Sequence, residues 1–390
     1  MHIWFRVLWW YNRTNMGGIK RFFGSRIVIV FLAVIVLEIV TVFLIQTGRF
    51  DFILNKNSLN NPKFKEINGT IYNDLSQIEK NTTSWVEAKI DWQDLEPGLD
   101  KYDWSVIDNI VQKSGNRAIL LTIKIKHDRL TLCAESEKKE CPPRNEQEFI
   151  NFISSLFEHT YGKVLFFQIG DQLGKENWQE DWKNYLSLIK KIDAIKGARI
   201  IVSSQIPLSS WQDNDKFLVS GIGFQVIKIK ADKSSAEVAE NIVKFKKALK
   251  EKANSLPVWS SLDHSEVVLA QTDNLNIEAL KKSILLLSNE VEKIFFQQEV
   301  LAKVDDLSLF SKMSSVNIVN FGDKKVEAYE IISKNYSKPI YLVWFENNNL
   351  NITLNIDPAY YNFYDFKGGK VELEGKKISA DSNGLLMLPI

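Results

Sequence analysis

Three acidic residues fall where strand-like segments give way to loops: Asp171 after FFQIG, and Asp263 and Glu266 after PVWSSL. His264 stands between the last two and is placed to orient one of them. Carboxyl groups gathered at one place can pass protons when their surroundings push their pKa values apart. The same three residues also read as solvated loop charges. His127 and Asp128 follow another strand-like run, AILLTIKIK, and can hydrogen-bond a ligand hydroxyl or cap their own loop. Cys133 and Cys141 are the only two cysteines. In an oxidising compartment they close one short loop; otherwise they are free thiols. Their spacing lacks the companions of a zinc site, and the four histidines form no H-E-x-x-H pair. Neither a metal nor a cofactor is expected. Ser203, Ser204, Ser209 and Ser210 lie outside any G-x-S-x-G turn, which sets a serine hydrolase aside.

Charge is distributed unevenly along the 390 residues. Residues 1–26 carry Arg6, Arg13, Lys20, Arg21 and Arg26 and no acid; then Ile27–Ile45 is apolar apart from Glu38 and Thr41. As a helix this run rises about 28 Å, close to the ~30 Å of a bilayer's hydrocarbon core. Gln46-Thr47-Gly48-Arg49 offers no small-residue cleavage site, so a retained single-pass anchor is expected. Its basic flank stays cytoplasmic and the remainder lies outside. Beyond residue 46 the chain holds 44 Lys and Arg against 47 Asp and Glu, which is no footprint for nucleic acid.

After a polar linker over 47–65, short apolar runs alternate with amphipathic stretches. Eight strands are predicted: Glu66–Tyr72, Trp85–Trp92, Ala118–Lys126, Lys163–Gly170, Ala198–Gln205, Ile222–Lys230, Leu256–Leu262 and Glu292–Gln298. Helices are predicted between them, at Asp74–Lys80, Trp104–Lys113, Glu146–Glu158, Trp178–Ile195, Asp213–Val219, Ala236–Lys252 and Ile277–Val291, with a last one at Lys325–Lys334. Asn145 is placed to cap the third of these. VLFFQIG and ARIIVSS are nearly continuous and rich in branched residues, as parallel strands buried on both faces are. The alternation predicts an α/β fold, a (β/α)₈ TIM barrel over 66–336. A doubly wound open sheet would need a Gly-rich phosphate loop after the first strand, and there is none. From residue 337 short strands broken by Asn-Asn, Asp-Pro and Gly-Gly turns predict a sandwich-like antiparallel β module over 337–390.

Several segments in this order resemble the clan A retaining glycoside hydrolases, the xylosidase-like and galactosidase-like families. Asp91-Trp92, Leu95-Glu96-Pro97, Tyr102-Asp103-Trp104 and Asp108 are similar to the stretch after that clan's second strand, although Gly98 here follows Pro97 directly. FFQIGDQLG with Trp178, Trp182, Tyr185 and Leu188 is similar to the fourth strand and its helix, LPVWSSL to the seventh strand, and EKIFFQQ to the eighth. The resemblance implies two catalytic glutamates about 5–5.5 Å apart, one a proton donor and the other a nucleophile. Gln172 stands at the donor's place and Leu262 at the nucleophile's. Gln transfers no proton and Leu attacks no carbon.

Two outcomes follow from the resemblance. Either the chain binds an envelope or cell-surface glycan without cutting it, or it cuts with relocated carboxylates, Asp171 as acid and Asp263 or Glu266 as nucleophile. A surface scaffold that binds no sugar is the third reading. Under the first two, Trp92, Trp178, Trp211 and Trp259 are candidate platforms for a sugar ring, with Trp259 and Trp211 preferred. His127, Asp128, His264 and Gln298 are candidate hydrogen-bonding partners. The alternative for the tryptophans is packing between barrel and helices.

Overall fold

The computed structural model describes residues 68–72, 78, 83–133, 140–171, 182–218, 223–262, 275–297, 313–319, 326–333, 336–345, 351–353, 356–365, 370–371, 377–379 and 384–390. All belong to one compact unit, Leu59–Ile390. The apolar run Ile27–Ile45 lies outside them, and among the described residues no helix is long and apolar enough to cross a membrane.

Nine parallel strands form one curled sheet. They are β1 (Asn68–Tyr72), β2 (Trp85–Asp91), β3 (Ala118–Lys124), β4 (Phe166–Ile169), β5 (Ile200–Val202), β6 (Ile206–Pro207), β7 (Ile227–Lys230), β8 (Val258–Leu262) and β9 (Val291–Gln297). Their order is β5-β4-β3-β2-β1-β9-β8-β7-β6. The two end strands, β5 and β6, are successive in the chain. Val202 bridges to Val226, and Ser203 N–H donates to Val226 O at 2.9 Å, so the ends of the sheet meet. This is the TIM-like α/β arrangement, with β5 and β6 serving as one interrupted strand.

Alternation decides what fills the interior. One face of each strand joins a cluster of Ile71, Trp85, Leu120, Phe166, Val202, Trp259 and Phe295 inside the sheet. The other face packs on the helices with Val86, Ile123, Phe167, Ile229, Leu262 and Phe296. Trp85 meets Trp259, Phe166 and Phe295 at centroid distances of 5.2, 4.9 and 6.1 Å, sealing the end where the strands begin. Gly69 makes room for this seal: a Cβ there would run into the Phe295 ring and come within 2.9 Å of Trp85 Cβ.

After one turn of helix at Trp92–Leu95, the longer helices are α1 (Ser105–Ser114), α2 (Glu146–His159), α3 (Trp182–Ile195), α4 (Ser235–Glu251) and α5 (Leu275–Ser288). Asn145 caps α2 as its sequence implies, accepting from Gln147 N at 3.0 Å while its amide donates to Glu148 Oε1 at 2.8 Å. The segment predicted as a helix over Asp213–Val219 falls largely in a 3₁₀ turn, Leu208–Leu218.

A second, antiparallel sheet runs β10-β11-β12-β16-β14. Its strands are β10 (Met313–Val319), β11 (Val326–Ser333), β12 (Ile340–Phe345), β14 (Tyr361–Asp365) and β16 (Gly384–Pro389). β13 (Asn351–Thr353) and β15 (Lys377–Ser379) form a separate ribbon. The helix expected at Lys325–Lys334 is strand β11. Val326 and Ala328 face one cluster, while Tyr329 and Ile331 face Ile284 and Leu285 of α5. Pairing on both sides and a period of two override helix-forming Lys, Glu and Ala.

Candidate functional site

The C-terminal ends of the strands, where barrels of this type place their sites, carry polar side chains pointing inward. β2 supplies Glu87, Lys89 and Asp91 in alternation with buried Val86, Ala88 and Ile90. β7 supplies Lys228 and Lys230 in the same way. Lys228 Nζ reaches across the interior to Glu87 Oε1 at 2.6 Å and Gln168 Oε1 at 3.0 Å. Thr122 Oγ1 donates to the same Glu87 oxygen at 3.1 Å. Both Lys228 and Glu87 are fully buried. Burial lowers the Lys228 pKa, and the Glu87 carboxylate works against that.

Asp171 sits one layer above. Strand alternation would turn it toward the helices, because Gln168 points inward. Gly170 has φ +79°, a left-handed kink that redirects the next residue into the mouth. There Asp171 Oδ2 accepts from Lys89 Nζ at 3.0 Å and Oδ1 from Gln205 Nε2 at 2.8 Å. Gln205 Oε1 in turn accepts from Ser261 Oγ at 2.9 Å. The backbone N–H of Asp171 donates to both oxygens of Glu140, at 3.0 and 2.9 Å. Burial alone would raise the Asp171 pKa; the Lys89 and Lys228 charges outweigh it and hold the carboxyl below its ordinary range. At the rim Asp91 pairs with Lys126 at 2.9 Å and Lys124 at 3.5 Å.

The other expected site residues divide three ways. Gln172, Trp178, Asp263, His264, Glu266 and Gln298 lie outside the described residues. Leu262 is described and is 1% exposed, but it packs in the layer between sheet and helices rather than facing the mouth. Ser261, one residue earlier, is the inward side chain at the end of β8. Trp259 is fully buried among the aromatic rings at the far end, so no sugar reaches it. Trp211 is 8% exposed and meets Phe245 of α4 edge-on at 5.8 Å, which is packing rather than a platform.

Trp92 also belongs to the core. It packs on Phe149 and His127 at 4.7 and 5.2 Å, and its indole donates to Glu96 Oε2 at 2.7 Å. Glu96 Oε1 accepts from Asp100 N at 2.8 Å. Burial raises the Glu96 pKa, and these two donors partly offset it. His127 takes the loop-capping reading. Its Nδ1 accepts from Arg129 N and Leu130 N, so Nε2 carries the proton and donates to Glu96 O at 2.9 Å. Asp128 lies in the same turn, its N–H donating to Gln93 Oε1 at 3.0 Å. Cys133 and Cys141 are joined in a disulfide with Cα atoms 5.9 Å apart. Among the described residues no group of His, Cys, Asp and Glu is arranged to hold a metal ion.

Lys89, Glu87, Lys228, Gln205, Ser261 and Glu140 were not picked out from sequence. The signal for half of them was present: VEAKID and IKIK put charge at every second residue of strands that otherwise read as buried. In a closed parallel sheet such a face can only be the inside. Two surface grooves, one lined by Leu256, Pro257 and Glu290 and the other by Arg117, Gly162 and Arg199, open where the strands begin and take no part in this site.

No family model matches the chain, and no curated protein does either. Solved structures do match. A GH39 β-xylosidase from Caulobacter crescentus superposes with a TM-score of 0.50 at 11% identity, over 82% of this chain and 94% of that one. An endo-β-1,6-glucanase gives 0.49 at 7% identity over 83% and 89%. The hyperthermostable endo-1,4-β-D-mannanase of Thermotoga petrophila gives 0.44 at 10% over 60% and 88%. The likeness is one of fold. It agrees in architecture with the clan A resemblance, and the chemistry must be argued from the residues themselves.

Proposed function

We propose that the mouth of this glycoside-hydrolase-like barrel binds a saccharide and does not cleave it by the two-carboxylate route. The observation that carries this is the pairing of inward carboxylates. On the described strands and their exits, Glu87 is held by Lys228, Asp171 by Lys89, and Asp91 by Lys124 and Lys126. A retaining hydrolase needs one carboxyl still protonated while its neighbour is ionised. An aspartate whose pKa is lowered by two lysines has no proton to give, which disfavours Asp171 as a relocated acid.

The same array suits hydroxyl groups. Asp171 accepts and Lys89 donates, while Gln205 and Ser261, buried beneath them, hold Asp171 in place. The β-xylosidase with this fold supports a saccharide as the ligand class. We also read Ile27–Ile45 as a membrane anchor that leaves the barrel outside the cytoplasm, where the ligand would be an envelope or cell-surface glycan. The nineteen-residue apolar run and its basic flank support that reading, and so does the disulfide.

The test pairs an aryl-glycoside panel with a glycan array. No turnover is expected on the panel. Array binding is expected to weaken about three- to tenfold in Gln205→Ala, which removes one of the hydrogen bonds that hold Asp171 in place. Turnover that disappears in Asp171→Asn would overturn the reading in favour of hydrolysis. Absence of both signals would leave a scaffold.

A further inference from the structure

We propose that Glu140 is the positioning residue of this site and that the Cys133–Cys141 bond makes its hold redox-dependent. β3 and β4 stop pairing at Ile123 and Ile169, with Gly170 N bonded to Ile123 O at 2.8 Å. Just beyond, the Ile125 and Asp171 N–H groups have left the ladder. Glu140 takes both. Its Oε1 accepts from Ile125 N at 2.8 Å, and its two oxygens accept from Asp171 N at 3.0 and 2.9 Å. One carboxylate, 7% exposed, thus ties two strand exits together. Through Asp171 it sets the positions of Lys89, Gln205 and Ser261.

Glu140 is presented by its neighbour. Cys141 is fully buried, and its N–H donates to Ile125 O at 2.9 Å. The disulfide joins it to Cys133, and on either side Leu132 N bonds Pro142 O and Arg144 N bonds Leu130 O, at 2.9 and 2.7 Å. Cys133 is half-buried, so a thiolate can reach its sulfur. A dithiol reductant would attack there. The S–S bond breaks, Cys133 and Cys141 each end as a thiol, and the reductant leaves as its cyclic disulfide. Without that bond the segment carrying Glu140 loses its cross-link to the His127–Cys133 turn and is held by backbone hydrogen bonds alone, so its grip on the Asp171 amide weakens.

The importance of this clamp rests on the mouth being the ligand site, but its test does not use a ligand. Amide hydrogen exchange is followed on the full chain, oxidised and after dithiothreitol. Protection at Ile125 and Asp171 is expected to fall about tenfold or more on reduction, as loss of a hydrogen bond to a charged group implies. Leu120–Thr122 within β3 should stay protected. Glu140→Ala should give the same pattern without reductant, and Glu140→Gln, which keeps an acceptor oxygen, should restore part of it. Unchanged protection at both amides, or equal loss across β3, would overturn the proposal. A chain that shows the clamp yet binds no saccharide counts against the ligand reading alone.

Discussion

Asp171→Asn separates an ion-pair anchor from a proton donor. The side chains of Lys89 and Asp171 are 7% and 16% exposed, and their charged atoms lie 3.0 Å apart. Removing one partner of a fully buried pair costs about 3–5 kcal/mol, chiefly because the other charge is stranded. The partial exposure of Asp171, and the asparagine oxygen that still accepts one bond, reduce this to about 2–4 kcal/mol. The thermal midpoint should fall by roughly 3–6 °C for a unit of this size. The pH dependence gives the sharper reading. The Asp171 pKa is lowered in the folded state, so its contribution is present above the unfolded carboxyl value of about 3.9 and is lost as pH falls through the folded value. The deficit of Asp171→Asn, measured by denaturant unfolding, should therefore be constant from about pH 8 to 5 and shrink in stronger acid. A deficit under about 0.5 kcal/mol, the scale of an ordinary surface change, would refute the anchor reading. So would one that grows as pH falls.

Three further substitutions probe the frame. Gly69→Ala drives a methyl group into the Phe295 ring and against Trp85; a cost of at least about 1–3 kcal/mol is expected, read as a lower thermal midpoint. Glu96→Ala strands the Trp92 indole and the Asp100 N–H; denaturant unfolding should show a loss of about 2–4 kcal/mol. Leu262→Glu places an unpaired carboxylate beside Phe296 and Ile294. The yield of folded chain should collapse, and an undiminished yield would contradict the outward orientation of Leu262.

The strands were legible because parallel strands buried on both faces leave long apolar runs, and all eight predicted segments contain a strand. The site was legible only in part. Trp259 and Leu262 could not both face a ligand from one regular strand, since positions three apart in a period of two take opposite faces. Trp259 points inward, so Ser261 shares its face and Leu262 does not. Asp171 could not be placed by the same count, because its direction depends on the positive φ of Gly170. Glu140 was beyond reach as well. Its partners are two backbone amides, 15 and 31 residues away, and backbone amides leave no trace in residue type.

The lysines also explain how such a charged interior folds. Carboxylates that cluster in a barrel repel one another, and an active hydrolase keeps that conflict because the shared proton is useful. Here Lys228 and Lys89 remove the conflict, one layer above the other. Gln205 donates to the Asp171 oxygen that Lys89 leaves, and Gln168 accepts a further hydrogen from Lys228. The result is a buried set of charges and amides with fixed directions beneath Asp171 and Lys89. For Asp171 to act as an acid at neutral pH, Lys89 would first have to leave it. Lys89→Met is therefore the substitution that should raise the Asp171 pKa. If Lys89→Met shows no turnover at any pH from about 4 to 8, the span in which a shifted carboxyl titrates, Asp171 is no acid even when freed of its lysine.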